Sequence, residues 1–374
     1  MSTREMPLPL RYRREIAEAL AAYCENEGRA LPWRENKTPY RVWISEIMLQ
    51  QTRAEVVKRY YEPFLAAFPS PTALANADGD RVRKAWEGLG YYRRIALAQK
   101  AATIVRDEYG GTRPADYYAL RRLPGFGDYT ASAVAAFAFG LRAAAVDGNL
   151  LRVLARLFAY EGNVLETKHA AALRALAVAM LPDPMPQSDA ALAEGDALYL
   201  ADGGTSAVWN QAMMELGAQI CIPNGTPHCA RCPLSPYCTA CAEGRAEALP
   251  LRVSRTKRRT EEKTVLRIVI DGLYLIRRRS ESGLLAGLFE FPTLDGAKSA
   301  EEVCEHLRRL GLAVKEITPL SNAKHIFTHV TWQMHGYHIE AAPPSVFPSD
   351  MIVASETELS SVYPIPGAYR AYRP

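Results

Sequence analysis

The 374-residue chain has no apolar run long enough to cross a bilayer. Its amino terminus, MSTREMPLPLRYRREIAEAL, is charged throughout and lacks the apolar core of a secretion signal. Membrane residence and export are therefore not expected, and a cytoplasmic, nucleoid-associated or nuclear location is. No internal repeat is evident, so a solenoid is not expected. Charge of one sign is scarce as well: 45 Lys and Arg against 41 Asp and Glu leave a net charge of +4. That balance, with a pI near 8.6, leans towards a polyanionic partner without identifying one. With 48% apolar and 23% charged residues, disorder is not expected and a chain of this length has room for two or three domains.

Cysteine is sparse but unevenly placed. Cys24, Cys241 and Cys304 look scattered, whereas Cys221, Cys229, Cys232 and Cys238 fall within CIPNGTPHCARCPLSPYC, with the spacing C-x7-C-x2-C-x5-C. In a reducing compartment such a cluster implies metal and not disulfides. Zinc and iron-sulfur centres both accept four thiolates. Structural zinc sites usually bring two short pairs from separated loops, while here one short pair is flanked by single cysteines in one loop, which favours iron-sulfur. Cys241 could stand in for Cys238, or be a bystander.

Residues 11–220 read as successive helices, with apolar positions recurring at three and four in REIAEALAAYCE, in YRVWISEIMLQQTRAEVVKRYYEPFLAAF and in ASAVAAFAFG. The stretch 182–206, rich in Ala, Asp, Gly and Pro, reads as a mobile surface loop. Residues 242–263 lack an apolar period but hold Arg252, Arg255, Lys257, Arg258 and Arg259, the mark of a basic interdomain linker. From Thr264 the pattern turns to β-branched alternation in TVLRIVIDGLYLIRRR, then a helix in SAEEVCEHLRRLG and strand-like runs in HIFTHVTWQMHGYHIE. The expectation is an all-α region over 1–241, a linker over 242–263 and an α+β domain over 264–374.

Within the helical region, Gly125 and Gly127 in LPGFGDYTASAV permit a tight turn whose amides can cradle a phosphate at the start of the next helix. Alone, such a turn is most simply an inter-helix connection. Glu46, in VWISEIMLQQT, follows Val42 and Trp43 by one helical turn, so its carboxyl should meet apolar surface that raises its pKa and suits it to act as a general acid. Its plain alternative is a solvated surface glutamate. Asp147, in VDGNLLRVLARLF, precedes an amphipathic helix that it can also cap.

Taken together, LPWR, WISEIMLQQT, GLGYYRR, LPGFGDYTA, VDGN, NQAMMELG and the four-cysteine loop resemble the MutY-type adenine DNA glycosylases of the helix-hairpin-helix superfamily. The resemblance runs from about residue 10 into the C-terminal domain. It implies that double-stranded DNA with adenine opposite 8-oxoguanine or guanine is the substrate, that adenine is flipped out and excised, and that the protein works as a monomer. It implies one 4Fe-4S cluster on Cys221, Cys229, Cys232 and Cys238, and leaves open a monovalent or divalent cation at the hairpin. Glu46 matches the acid that protonates the adenine ring, and Asp147 the carboxylate that stabilises the oxocarbenium-like sugar. Tyr129 stands where bifunctional relatives carry a lysine that forms a Schiff base; a phenol cannot, so a monofunctional enzyme follows. Arg34 and Gln211 match side chains that meet the flipped adenine, and Gln51 and Tyr91 match residues inserted near 8-oxoguanine, while Tyr92 is expected in the core.

The C-terminal domain resembles the family's Nudix-like reader of 8-oxoguanine. SGLLAGLFEFP has Leu285 where tryptophan is usual, and Phe327, Thr328 and His329 match a Phe-Ser-His loop with threonine in place of serine. The carboxylate-rich helix of Nudix hydrolases is not intact, so nucleotide hydrolysis is not expected. The loop between Cys221 and Cys229 has seven residues where the family usually has six, which reads as a one-residue insertion. An endonuclease III-like pyrimidine-damage or mismatch-thymine glycosylase and a non-catalytic iron-sulfur DNA-binding protein are the alternatives.

Overall fold

The computed structural model describes residues 8–112, 114–182, 204–253 and 258–374. Most of the loop expected at 182–206, and Arg255 and Lys257 of the expected linker, lie outside the described residues. The chain divides into two compact units, one of Met1–Ala75 and Lys100–Ser254, the other of Asn76–Gln99 and Arg255–Pro374.

The first unit is helical. It contains α1 (Leu8–Arg11), α2 (Arg13–Glu27), α3 (Pro39–Leu49), α4 (Ala54–Ala67) and α5 (Pro71–Asn76). After α6 (Gly79–Ala85), and the start of α7 (Arg93–Tyr109), which belong to the other unit, come α8 (Tyr117–Arg122), α9 (Asp128–Phe139), α10 (Gly148–Leu157), α11 (Thr167–Met180), α12 (Thr205–Gln219) and α13 (Thr239–Ala242).

Helix α3 is apolar almost all round, and residues from Tyr40 to Met48 are buried with only Arg41 excepted. A helix of that composition is stable only as a central element. Thr38 caps it by accepting from Arg41 N, and Pro39 opens it where a missing N–H costs nothing. The sequence periodicity runs on into α4, but the chain breaks between them at Gln51, which adopts φ +57°. No Pro, Gly or Asp marks that break, so it was not legible.

The α8–α9 hairpin forms where expected. Asp116 caps α8 through Ala119 N, Gly125 takes φ +81°, and α9 starts at Gly127 with no side-chain cap. Phe126, at the tip, packs on Trp43 of α3 with ring centroids 5.3 Å apart, fixing the hairpin to the central helix. Helices α10 and α12 approach so closely that a Cβ on Gly217 would lie 2.6 Å from Cβ of Asn149. Around them Ile16, Leu20, Leu150, Leu154, Leu173, Trp209 and Leu216 form one core.

Residues 242–253, expected as linker, instead pack on this unit. Leu249 is buried, its carbonyl accepts from Arg156 Nε at 2.8 Å, and Leu251 O accepts from Val164 N at 3.0 Å. The contacts are made by two leucines without a period, which local patterning cannot register. The strand expected from Thr264 begins earlier, at Arg259, because backbone pairing with Val330–Met334 extends it through charged residues.

The second unit is an α+β domain on a seven-stranded sheet: β1 (Arg259–Ile270), β2 (Leu273–Arg278), β3 (Phe289–Glu290), β4 (Thr293–Asp295), β5 (Val314–Ile326), β6 (Val330–Ala341) and β7 (Met351–Ala354). The order is β3-β2-β1-β6-β5, with β4 against β1 and β7 against β2; β1 and β6 run parallel, Arg259 opposite Val330 and Val269 opposite Glu340. One face buries Phe291, Trp332, Tyr369 and Tyr372. The other buries Leu266, Ile268 and Ile339 beneath α14 (Ala300–Arg309), the helix expected in SAEEVCEHLRRLG, which Ser299 and Glu302 cap reciprocally. A short helix, α15 (Glu356–Ser361), follows β7.

Asn76–Gln99 belongs with this sheet and not with the helices on either side in sequence. Lys84 Nζ donates to the carbonyls of Leu359 and Tyr363 at 3.1 Å each, Arg278 pairs with Asp80, and Arg373 with Glu87. These are side-chain contacts across more than 190 residues of sequence, so the grouping of this helical segment with the sheet cannot be read from the local pattern over 1–241.

A Cβ at Gly336 in β6 would sit 2.2 Å from the Tyr372 ring and 3.1 Å from Leu320 Cβ. Gly336→Ala should cost about 1–3 kcal/mol by overpacking, read as a lowered denaturation midpoint, whereas Gly367→Ala, whose Cβ meets nothing within 4 Å, should change little.

Candidate active site and cysteine loop

A cleft of about 1120 Å³ opens in the helical unit. Glu46, Tyr129 and Asp147 line it, as do Arg34, Gln51, Gln211, Gly125 and Gly127. Eight of the expected site residues, drawn from five separated stretches of sequence, thus share one cavity.

Glu46 is 5% exposed on the largely apolar helix α3. Burial pushes its carboxyl up to about 7, assisted by the charge of Asp147 and opposed by the hydrogen bond from Tyr129 and the charge of Arg34. The Tyr129 hydroxyl donates to Glu46 Oε2 at 2.5 Å, and burial beside two carboxyls holds that phenol well above its ordinary value. Asp147 caps α10: Oδ1 accepts from Asn149 N at 2.9 Å and Leu150 N at 2.8 Å, while Oδ2 accepts from Asn149 Nδ2 at 2.7 Å. Burial raises its pKa, and those donors oppose the rise. Capping and a poised carboxylate therefore coincide.

Sequence reasoning missed the residue that orders the other wall. Glu215, 1% exposed, accepts from Arg34 Nη2 at 2.7 Å and from Arg29 through Nη2 at 2.7 Å and Nε at 2.8 Å. Burial would raise its pKa, but the Arg29 hydrogen bonds and the Arg34 charge outweigh it and hold the carboxyl below its ordinary value. Glu215 lies one turn after Gln211 on α12, inside the quoted NQAMMELG; that i, i+4 spacing was the available signal. The Gln211 amide donates to Cys24 Sγ at 3.2 Å.

Asn149, Arg152 and Arg156 were also missed. Arg152 donates to Asn149 Oδ1, Gly217 O and Cys221 O at 2.7–2.8 Å, so hydrogen bonds run from Asp147 through Asn149 and Arg152 to the first clustered cysteine. Arg156 donates to Cys221 Sγ at 3.2 Å and to Ile222 O at 2.9 Å. Two arginines on an amphipathic helix read as surface residues, yet here they are 4% and 3% exposed.

Cys221, Cys229, Cys232 and Cys238 surround a hollow that Arg156 also lines. Among the described residues no group of three or more His, Cys, Asp or Glu side chains is disposed to hold a single metal ion. Four thiols around one hollow form a donor set that zinc and iron-sulfur centres both accept. Burial pushes the Cys232 thiol up to about 12 and Cys238 up to about 11.

The remaining expected residues lie in the sheet-containing unit. Phe327, Thr328 and His329 form the β5–β6 turn, closed by Phe327 N to Val330 O at 2.8 Å. Phe327 packs edge-on against Trp332 at 5.0 Å, leaving Thr328 and His329 exposed. The Tyr91 hydroxyl meets Thr328 Oγ1 at 2.9 Å. Tyr91 is exposed, at φ +47°, and Leu285 is at φ +59°. Three of the positions singled out from sequence, Gln51, Tyr91 and Leu285, thus adopt a left-handed backbone that costs a non-glycine residue about 1 kcal/mol or more, a strain that gathers at functional sites.

A carboxyl whose folded value is raised keeps its full stability below pH about 4.5 and loses it as pH rises through about 7. At about 1.4 kcal/mol per pH unit, Glu46→Gln should be more stable than the parent by up to about 3 kcal/mol at pH 8, with little advantage at pH 4.5. Denaturant unfolding at both pH values tests this; an advantage no larger at pH 8 contradicts a buried neutral carboxyl.

Comparison with known proteins agrees with this geometry. The model of the HhH-GPD superfamily base excision DNA repair proteins matches residues 44–178, and that of the NUDIX domain residues 264–373. The adenine DNA glycosylase of Homo sapiens is 30% identical over an alignment covering 88% of this chain and 69% of that protein, and that of Mus musculus is 32% identical over 88% and 72%. The adenine DNA glycosylase of Buchnera aphidicola (Acyrthosiphon pisum strain) is 30% identical, covering 82% and 81%. A solved thermostable thymine-DNA glycosylase matches with a TM-score of 0.51 and 29% identity, covering 62% of this chain and 97% of that one. The pyrimidine-glycosylase and non-catalytic alternatives give way, because the adenine-specific relatives align across both matched domains. The chain belongs to the adenine DNA glycosylase family: it is a base excision repair enzyme that removes adenine from DNA.

Proposed function

We propose that the enzyme excises adenine paired with 8-oxoguanine, or with guanine, by hydrolysis alone. The observation that carries the chemistry is the buried Glu46 carboxyl, raised to about 7 beside Asp147 in the cleft. Glu46 gives its proton to a ring nitrogen of the flipped base. The N-glycosidic electron pair then leaves with adenine, which departs neutral. Positive charge develops on the sugar, and the Asp147 carboxylate stabilises it. Water adds to the sugar carbon and returns a proton to Glu46. Tyr129 keeps Glu46 oriented and, lacking an amine, starts no strand cleavage. Arg34, held by Glu215, and Gln211 contact the base from the opposite wall. Gly125, Gly127 and the uncapped start of α9 offer amides to the DNA backbone.

Opposite-base recognition falls to Gln51, Tyr91, Phe327, Thr328 and His329. The oxidised base carries an N7–H donor and an O8 acceptor where guanine has an N7 acceptor, and the Tyr91–Thr328 hydroxyl pair can serve either role. Cys221, Cys229, Cys232 and Cys238 hold one 4Fe-4S cluster, which when bound cross-links the loop. Arg156 donates towards Cys221 there. A cleft completed within one chain and a DNA substrate support a monomer working in the cytoplasm, at the nucleoid.

Single-turnover excision on adenine:8-oxoguanine and adenine:guanine duplexes tests the proposal. The rate should fall as pH rises through about 7, and Glu46→Gln should lose at least about 10²-fold in rate while still binding the duplex. Substantial activity in that variant removes Glu46 from its role. Replacing Phe327, Thr328 and His329 together by alanine should largely erase the preference for 8-oxoguanine, whereas Thr328→Ser should change the ratio of the two rates less than about tenfold. A triple variant that discriminates like the parent places recognition elsewhere.

A further inference from the structure

Five thiols, not four, border the hollow of the cysteine loop. Cys241 lines it together with Cys221, Cys229, Cys232 and Cys238, and its side chain is hydrogen-bonded to that of Cys229. The local chain puts it there. Cys238 is the N-cap of α13 and Cys241 the third residue of that turn, so the two point to one side. The segment Cys238-Thr-Ala-Cys241 repeats the two-residue spacing of Cys229-Ala-Arg-Cys232, a spacing at which two thiolates commonly reach one metal centre. Arg245 N bonds Ala240 O at 2.8 Å and Gly244 N bonds Cys241 O at 3.1 Å, so the turn is held in place from its far side.

We propose that Cys241 is a reserve ligand that takes the corner of Cys229 when that thiolate is lost. The proposal rests on the reading that the loop holds an iron-sulfur cluster. Side-chain contact points to the corner: the Cys241 thiol meets that of Cys229, whereas the Cys238 thiol is met by the Cys241 backbone N–H. When Cys229 is removed, the Cys241 S–H bond breaks, its proton goes to solvent and its sulfur bonds the exposed iron. One thiolate replaces another, so charge and oxidation state are conserved and no co-reactant is needed. Cys241 is only half-buried, which gives the proton a way out.

The test uses full-length protein purified without oxygen, and measures iron, acid-labile sulfide and visible absorption in the parent, Cys229→Ala, Cys241→Ala and the double variant. Parent and Cys241→Ala should carry about four iron atoms per chain, Cys229→Ala at least about half that amount, and the double variant about tenfold less than the parent. Iodoacetamide followed by peptide mapping supplies a second readout: Cys241 should be alkylated in the parent without loss of iron and protected in Cys229→Ala. The proposal is overturned if Cys229→Ala loses iron as fully as the double variant, if Cys241 is alkylated equally in both proteins, or if Cys241→Ala alone loses the iron. Recovery of both Cys229→Ala and the milder Cys229→Ser only as aggregate also overturns it. A parent without iron and sulfide removes the cluster reading itself, before any variant is compared.

Discussion

One hydrogen bond, from the phenol of Tyr129 to the carboxyl of Glu46 at 2.5 Å, sets the requirement that the helical unit is built to meet. A carboxyl in apolar surroundings is costly to ionise, so it rests near the boundary between its two protonation states only if water stays out and one donor is supplied. Exclusion of water requires α3 to be apolar on nearly every face. The donor requires α9 to start at the right height, and the Phe126–Trp43 contact sets that height by fixing the hairpin to α3. Asp147 sits close enough for its charge to raise Glu46, because capping α10 demands a carboxylate at that position in any case.

The other half of the unit is organised by four arginines, Arg152 and Arg156 buried and Arg29 and Arg34 half-buried. Unpaired, the two buried ones would each cost several kcal/mol; here all four are held by acceptors. Arg29 and Arg34 converge on Glu215 across the cleft. Arg152 and Arg156 reach from α10 to carbonyls and to a sulfur of the cysteine loop, so the helix that presents Asp147 is tied to that loop. The same lattice requires Gly217, since any side chain there would strike Asn149, which binds both Asp147 and Arg152.

In the sheet-containing unit the corresponding arrangement is simpler. A turn between the long antiparallel strands β5 and β6 exposes Thr328 and His329 while Phe327 is anchored on Trp332. Tyr91 comes to the same place from a distant part of the chain and meets Thr328 through a hydroxyl. Thr328 makes that contact through its hydroxyl, the group that threonine shares with serine, from an exposed turn.

Residue types and short spacings were enough to establish the helical and α+β halves, the hairpin and the four clustered cysteines, and to single out Glu46, Asp147 and Tyr129 as candidates whose roles came from the family resemblance. These properties are local: a period of three or four, a Gly at a turn, thiols two apart. What tertiary structure alone decided is set by distance through space. Glu46 could be read as a surface glutamate until α9 covered it, and Glu215 looked like one more helix residue until Arg29 and Arg34 closed on it. Asn76–Gln99 read as part of the helical region until Lys84, Asp80 and Glu87 found partners more than 190 residues away. Burial and ion pairing depend on which surfaces meet, and a sequence window contains only the residues on one of them.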